Sequence, residues 1–417
     1  MNTTSTSHVS GFRCLRCGAE QPKSFDGMLC PLCEYNLDVE YNYAAIDPHN
    51  WMNERDDLFR YSALLPVSNL GLTPVQRVGQ TPLYHAARAG KARGLSQLYV
   101  KDDGMNPSAS FKDRAGAVAL VVARERNASV IAASTTGNAG SSMAALTAGV
   151  GFPCVIFVPA TAPAAKIAQL LVFGAKVIAV QGTYDQAYDL CETACEEMGW
   201  FNRNTGFNPF TREGKKTCSF EIWEQLGGQA PDHLLVGSGD GNIISGIWKG
   251  FRDLLALGLI KKMPALYSCQ SEKSAAIATA VRAVQDRSAV DWKALKLPTV
   301  KSETLADSIS VDYPSDGIAA MRAMFETGGD AITVSEDEIL RAIPDLAQST
   351  GVFAEPAATA CWAALDKLLT MKTIAHDEKV VCVITGNGLK DVASARKTVG
   401  QPITVEPTIE AVMAAIT

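Results

Sequence analysis

Short, continuously apolar runs recur along the chain at 130–133, 154–158, 177–180, 233–236 and 380–384. None alternates between apolar and polar positions, so each predicts a strand covered on both faces. Between them, apolar residues return at helical spacing over 112–126, 138–149, 163–174 and 184–198. Strands alternating with helices predict an α/β fold built on open, mostly parallel sheets. Ligands of such sheets sit at the carboxyl ends of strands, where loops meet helix N-termini, so chemistry is expected in those loops. Residues 1–45 lack this alternation and are rich in cysteine, and 46–100 end in the strand-like run Leu98-Tyr99-Val100. There is no internal repeat.

Composition narrows the class. The 417 residues are 47% hydrophobic and 20% charged, which provides for a buried core and excludes disordered and collagen-like chains. At about 150 residues per domain, two to three domains are expected. Lys and Arg number 38 against 44 Asp and Glu, with no basic block, so no nucleic-acid partner is expected. No run of eighteen apolar residues predicts a membrane span, and the first residues lack the regions of a signal peptide. Seven of the eleven cysteines (Cys154, Cys191, Cys195, Cys218, Cys269, Cys361 and Cys382) lie scattered in apolar contexts. That usage predicts buried free thiols in a reducing, cytoplasmic setting.

The other four cysteines form two knuckles, Cys14-x-x-Cys17 and Cys30-x-x-Cys33, twelve residues apart. Two such pairs supply four thiolates suited to tetrahedral zinc, with no open position for chemistry, so the role would be structural. A ribbon that keeps its shape without metal is the alternative. Its three basic residues, Arg13, Arg16 and Lys23, are balanced by Glu20, Asp26 and Glu34, which argues against a nucleic-acid-binding ribbon.

Four loops carry candidate chemistry. Asn106 to Arg114 follows a strand and places Lys112 in the first turn of a helix, with Ser108 or Ser110 as its cap. A cation at the positive end of a helix dipole is disfavoured, which favours the free amine that a Schiff base with a carbonyl cofactor requires. An exposed helix lysine beside Asp113 is the plain alternative. The second loop, Ser134-Thr135-Thr136-Gly137-Asn138, opens another helix and can bind a carboxylate or phosphate. The third, Gly237-Ser238-Gly239-Asp240-Gly241-Asn242, has the glycine content of a nest of amides around a phosphate. The fourth is Thr385-Gly386-Asn387-Gly388-Leu389-Lys390-Asp391. The five histidines show neither metal-ligand nor triad spacing, and the pair Cys191 and Cys195 reads as one buried helix face.

Taken together, these segments resemble the fold-type II pyridoxal-phosphate enzymes, and among them the threonine synthases. Gln80-Thr81-Pro82-Leu83, the Lys112 motif (with Ser108 and Ala109 where the family has Thr and Gly), Asn208-Pro209, Glu213-Gly214-Lys215-Lys216-Thr217, Glu355-Pro356 and the Thr385 loop carry the likeness. The resemblance implies two open, mostly parallel α/β sheet domains with the cofactor in the crevice between them, behind a short zinc-ribbon-like segment. The expected units are 1–45, then 46–104 with 205–417 as a large domain, and 105–204 as a small domain inserted in it. Position by position, it implies that Lys112 holds pyridoxal 5'-phosphate covalently and shuttles protons. Asn138 faces the ring 3'-oxygen, Ser238, Gly239, Asp240, Gly241 and Asn242 cradle the phosphate, and Thr385 faces the ring nitrogen. Ser110, Thr135, Thr136, Asn208, Thr211 and Arg212 are implied as substrate contacts. A homodimer acting on a small amino acid is implied as well.

Two departures stand out. Asp240 puts a carboxylate where the family has asparagine, a repulsive neighbour for a phosphate unless it bonds the loop itself. Thr211 stands where the family has an arginine for the substrate phosphate, and Arg212, Lys166 or Lys215 would have to compensate. The expected reaction is conversion of O-phospho-L-homoserine and water to L-threonine and phosphate. The alternative is β-elimination or β-replacement on another amino acid, as in dehydratases and ammonia-lyases.

Overall fold

In the computed structural model, which describes residues 7–416, the chain forms three sheets. Strands β1 (Val9–Cys14), β2 (Glu20–Pro22) and β3 (Leu37–Tyr41) make a small antiparallel ribbon in the order β2-β1-β3. Next in the chain come β4 (Leu83–His85) and β5 (Gln97–Asp102), and then β6 (Ile131–Ser134), β7 (Cys154–Pro159), β8 (Lys176–Val180) and β9 (Phe201–Asn202). The last four form an all-parallel sheet in the order β8-β7-β6-β9. Strands β10 (His233–Gly237), β11 (Ala265–Ser271), β12 (Ala331–Val334) and β13 (Lys379–Ile384) join β5 and β4 in the order β12-β11-β10-β13-β5-β4. Every pair of this sheet is parallel except β4 with β5 at its edge.

Each run singled out by its apolar continuity is a strand, to within one residue at either end, but β8, at the edge of its sheet, is not covered on both faces as expected and has no fully buried position. The buried patterns of β6, β10 and β13 show why: both faces are covered, so the interior positions of each strand are apolar and polar residues stand only at its ends. The predicted helices are found at Lys112–Glu125, Asn138–Val150, Ala164–Val172 and Tyr184–Met198. Cys191 and Cys195 are buried on the last of these, on one face.

Three helices lie at the heart of the molecule: Lys112–Glu125, Phe210–Gln225 and Asn242–Ala256, the second packed against both of the others. Their close approach needs glycine. A Cβ at Gly214 would stand 1.9 Å from the carbonyl oxygen of Arg114, and one at Gly250 2.4 Å from that of Lys216. These helices also bury charge. Glu221 accepts from Lys101 Nζ at 2.7 Å and from Arg114 Nη1 at 2.6 Å, and Arg114 grips Asp103 through Nε and Nη2 at 2.5 and 2.8 Å. Glu221 further accepts from the backbone N–H of Gln80 at 2.8 Å, which ties the Gln80-Thr81-Pro82-Leu83 stretch to the helix Phe210–Gln225.

Candidate active site

Lys112 is the first residue of its helix. The segment before it pairs with the loop after β13: Phe111 N–H donates to Thr385 O at 2.8 Å and Asn387 N–H to Ala109 O at 3.1 Å. This pairing sets Lys112 and Thr385 side by side at the carboxyl ends of β13 and β10. The expected serine cap is absent. Phe111 occupies the cap position with no side-chain bond, and the Asp113 carboxylate accepts from the N–H and hydroxyl of Ser108 at 2.7 and 2.6 Å. The loop is thus folded by the helix's own acid, and the Ser110 hydroxyl is buried with no partner among the described residues.

Ala109 adopts φ +61°, in the left-handed region. An L side chain costs about 1–2 kcal/mol there, whereas glycine adopts it freely. Ala109→Gly is therefore expected to raise unfolding stability by roughly 0.5–1 kcal/mol, after its greater unfolded-state freedom is counted, in denaturant titrations.

Lys112, Asn138, Ser238, Gly239, Asp240 and Thr385 meet around one cavity, although they come from four separate parts of the chain. Gly241 lines it too, and Glu355 and Ser308 complete one wall. Asn138 Nδ2 donates to Glu355 Oε1 at 3.0 Å and to Ser308 Oγ at 3.2 Å. A Cβ at Gly386 would lie 2.4 Å from Glu355 Oε1, so the glycine after Thr385 makes room for that carboxylate.

The Lys112 ammonium makes no hydrogen bond or ion pair among the described residues, and its pKa lies below the usual lysine value. Burial is the largest cause, Arg203 adds to it, and Asp240 and Glu355 oppose it. Desolvation is thus what chiefly favours the neutral amine.

The loop after β10 has the features of an anion cradle. Gly241 takes φ +91° to turn the chain into the helix Asn242–Ala256. The backbone N–H groups of Gly239, Asp240 and Gly241 find no acceptor among the described residues. Three unpaired amides at the positive end of a fifteen-residue helix suit a phosphate dianion. Asp240 bonds the loop itself, since Oδ1 accepts from Asn242 N–H at 3.1 Å, and its charge faces Lys112, Arg203 and Lys215. The cavity residues therefore fit pyridoxal phosphate: an amine lowered by burial, an amide side chain, a hydroxyl and a cradle of free N–H groups.

Other expected contacts fall elsewhere. Asn242 spends its side chain on the protein, with Nδ2 donating to Asp316 Oδ2 at 2.8 Å and Oδ1 accepting from Lys215 Nζ. Asn208 Oδ1 accepts from Phe210 N–H at 2.9 Å, and the Thr211 hydroxyl donates to Asn208 O at 2.9 Å, so both serve the start of their helix. Arg212 is no substitute for a displaced arginine. Its Nε, Nη1 and Nη2 donate to Ser245 Oγ, Leu37 O and Asp316 Oδ1, away from the cavity. Thr135 Oγ1 accepts from Gly137 N–H at 3.2 Å within the loop before Asn138, and Thr136 is partly exposed beside it. Lys166 pairs with Asp307 at 2.7 Å, next to the wall residue Ser308.

Sequence reasoning missed Glu355 and Ser308 as wall residues of the cavity. Glu355 was visible only as part of a motif without a role. Arg203 follows β9 and is 1% exposed, with Nη1 donating to Thr205 Oγ1 at 3.3 Å and Nε and Nη2 unpaired among the described residues.

In the ribbon, the sulfurs of Cys14, Cys17, Cys30 and Cys33 all lie within 4.8 Å of one another. Cys14 is 3.5 Å from Cys33 and Cys17 3.6 Å from Cys30. Zinc–sulfur bonds of about 2.3 Å require sulfurs about 3.8 Å apart in a tetrahedron, so the donor set fits the ion. Among the described residues, no helix is long and apolar enough to cross a membrane.

The sequence pattern of the family described as "Pyridoxal-phosphate dependent enzyme" matches residues 75–386. The chain is 36% identical to the threonine synthase of Methanosarcina acetivorans over 407 residues, 97% of this chain and 98% of that one. It is 36% identical to the threonine synthase of Methanocaldococcus jannaschii over 402 residues, 94% of this chain and 96% of that one. Its fold resembles the processed form of threonine deaminase isoform 2 from Solanum lycopersicum, with a TM-score of 0.65 and 18% identity over 83% of this chain and 88% of that one.

Proposed function

The chain belongs to the pyridoxal-phosphate dependent enzymes and, among them, to the threonine synthases, and from that premise we propose how its residues divide the work. The reaction turns O-phospho-L-homoserine and water into L-threonine and phosphate. When bound, pyridoxal phosphate supplies an electron sink for negative charge at the substrate's Cα and Cβ. Lys112 Nζ moves the protons at those two carbons, a task suited to an amine whose pKa burial has lowered. The amides of 239–241 hold the cofactor's phosphate, Asn138 and Thr385 orient its ring, and Ser110 with Thr135 and Thr136 receives the substrate. The observation that carries this reading is the meeting of Lys112, Asn138, Thr385 and the glycine loop around one cavity.

The test is to supply O-phosphohomoserine to the cofactor-loaded protein and follow threonine and inorganic phosphate together. Equal amounts of both support the reading. Phosphate released with a 2-oxo acid and no threonine would transfer the chain to the eliminating enzymes.

Arg203 is assigned the leaving phosphate. Its free Nε and Nη2 form the same edge of the guanidinium that Arg114 uses on Asp103, a bidentate seat for an oxyanion. That edge is closed to solvent in this structure, so the crevice must open for the anion to reach it. Arg203→Met is expected to raise KM for O-phosphohomoserine about 10- to 100-fold with a smaller change in kcat, and to weaken inhibition by inorganic phosphate in parallel. An unchanged KM would remove Arg203 from the site.

Asp240→Asn keeps an oxygen for the Asn242 N–H and removes a negative charge beside the cofactor's phosphate. Several-fold tighter binding of pyridoxal phosphate to the apoprotein is expected in an absorbance titration.

The ribbon cysteines are assigned one structural zinc ion. The units 46–104 with 205–417 and the inserted 105–204 remain our division of the catalytic part, with limited proteolysis as its check. Cytoplasmic residence accords with eleven unbridged cysteines. A homodimer is proposed too, for which light scattering should give the mass of two chains.

A further inference from the structure

Asp316 lines no part of the cavity, yet it holds the cradle loop. It stands just before the helix Gly317–Thr327 and is fully buried. Its backbone N–H donates to Asp240 O at 3.0 Å, and its carbonyl oxygen would lie 2.9 Å from a Cβ at Gly241. Its carboxylate accepts from Asn242 Nδ2 at 2.8 Å and from Ser245 Oγ at 2.6 Å through Oδ2. One residue thus bonds 240 and 242 and packs against 241 between them.

The other oxygen faces the ribbon. Oδ1 accepts from Asn36 Nδ2 at 2.6 Å and from Arg212 Nη2 at 2.5 Å, and Arg212 Nη1 in turn donates to Leu37 O at 2.9 Å. Asn36 is bracketed by the two cysteine knuckles. Its carbonyl accepts from Leu15 N–H at 3.1 Å, and that of its neighbour Tyr35 accepts from Cys30 N–H at 3.0 Å. A buried carboxylate with four donors cannot shift without leaving some of them and its own charge unpaired, so the ribbon and the loop share one arrangement.

We propose that Asp316 is a positioning residue for the cofactor's phosphate, and that through Asn36 it makes the grip of the cradle depend on the metal-bound ribbon. The proposal rests on the reading above in that the cradle receives pyridoxal phosphate. Loss of the ion loosens Asn36, the Asp316 carboxylate loses a donor, and the 240–242 loop loses its fixed side.

The test is a cycle on the full-length protein with no turnover in its readout. Pyridoxal phosphate affinity of the apoprotein is titrated for the wild type and for Asn36→Ala, each zinc-loaded and after chelation, with near-ultraviolet circular dichroism to confirm folding. Asn36→Ser replaces the alanine variant if that fails to fold. Zinc removal and the substitution are each expected to weaken binding about tenfold, and zinc removal from the variant to add less than threefold. Effects that multiply, an Asn36 variant that binds as the wild type does, or a tight-binding protein that purifies without zinc would each overturn the coupling. A wild type that binds no pyridoxal phosphate at all overturns the reading of the cavity and the coupling with it.

Discussion

Replacing Lys112 with alanine is expected to lower threonine formation by about 10³-fold or more, in steady-state assays with cofactor in excess. No other amine can take its place. Lys215 is buried and feels the charge of Lys112, but its Nζ is committed to the Asn242 side chain. Lys216 is bound between Glu213 and Asp253, each at 2.7 Å, and Lys390 reaches Ser141 at 3.2 Å. The substitution deletes a side chain that opens into the cavity, so the fold should survive with an unchanged melting curve. Cofactor affinity should fall by much less than turnover, because the amides of 239–241 remain. Retention of more than about a tenth of the activity would show that another group moves the protons.

The largest loss of stability is expected at Glu221. Glu221→Ala leaves Arg114 and Lys101 buried with a charge partner removed, and should cost about 3–5 kcal/mol in denaturant unfolding. Glu221→Gln keeps an acceptor and should cost less. Burial alone would raise the Glu221 pKa, but Arg114 and Lys101 outweigh it and hold the group well below the usual carboxylate range. A depressed pKa sets the sign of the pH dependence. The contribution is complete above the unfolded carboxylate value and is lost as acid protonates the folded state. The wild type should therefore lose this stabilisation progressively once the pH falls below the ordinary glutamate value, and the difference between wild type and Glu221→Gln should shrink over the same range. A substitution that leaves the unfolding midpoint unchanged would contradict this account of the buried pairs.

The sequence carried the catalytic architecture because parallel strands buried on both faces write themselves as continuous apolar runs. Strands β6, β7, β10 and β13 are of this kind, and the loops that follow β6, β10 and β13 supply Asn138, the glycine cradle and Thr385. Less legible were β11 and β4. Residues Ala265–Ser271 mix serine and glutamine with apolar positions although nearly all are buried, and β4 is a three-residue edge. The ionic interior escaped reading altogether. Lys101, Arg114, Arg212 and Glu221 are ordinary polar letters in helical or strand patterns, and only the packing of three helices makes them partners. For the same reason Arg212 looked like a substrate ligand one position out of register, whereas its guanidinium turns to the ribbon and Asp316. Asp240 looked like a liability to a phosphate, and its bond to Asn242 N–H could not be read from spacing. Arg203 left no motif, since an unpaired guanidinium is a property of its surroundings.

The central claim is that one amine, the Nζ of Lys112, holds the carbonyl cofactor at the mouth of the glycine cradle. Borohydride reduction of the cofactor-loaded wild type, followed by peptide mass mapping, tests it most directly. A pyridoxyl group on Lys112 and on no other lysine is the expected result. Modification of Lys215, Lys216 or Lys390 in its place, or no modification in a protein saturated with the coenzyme, would contradict it.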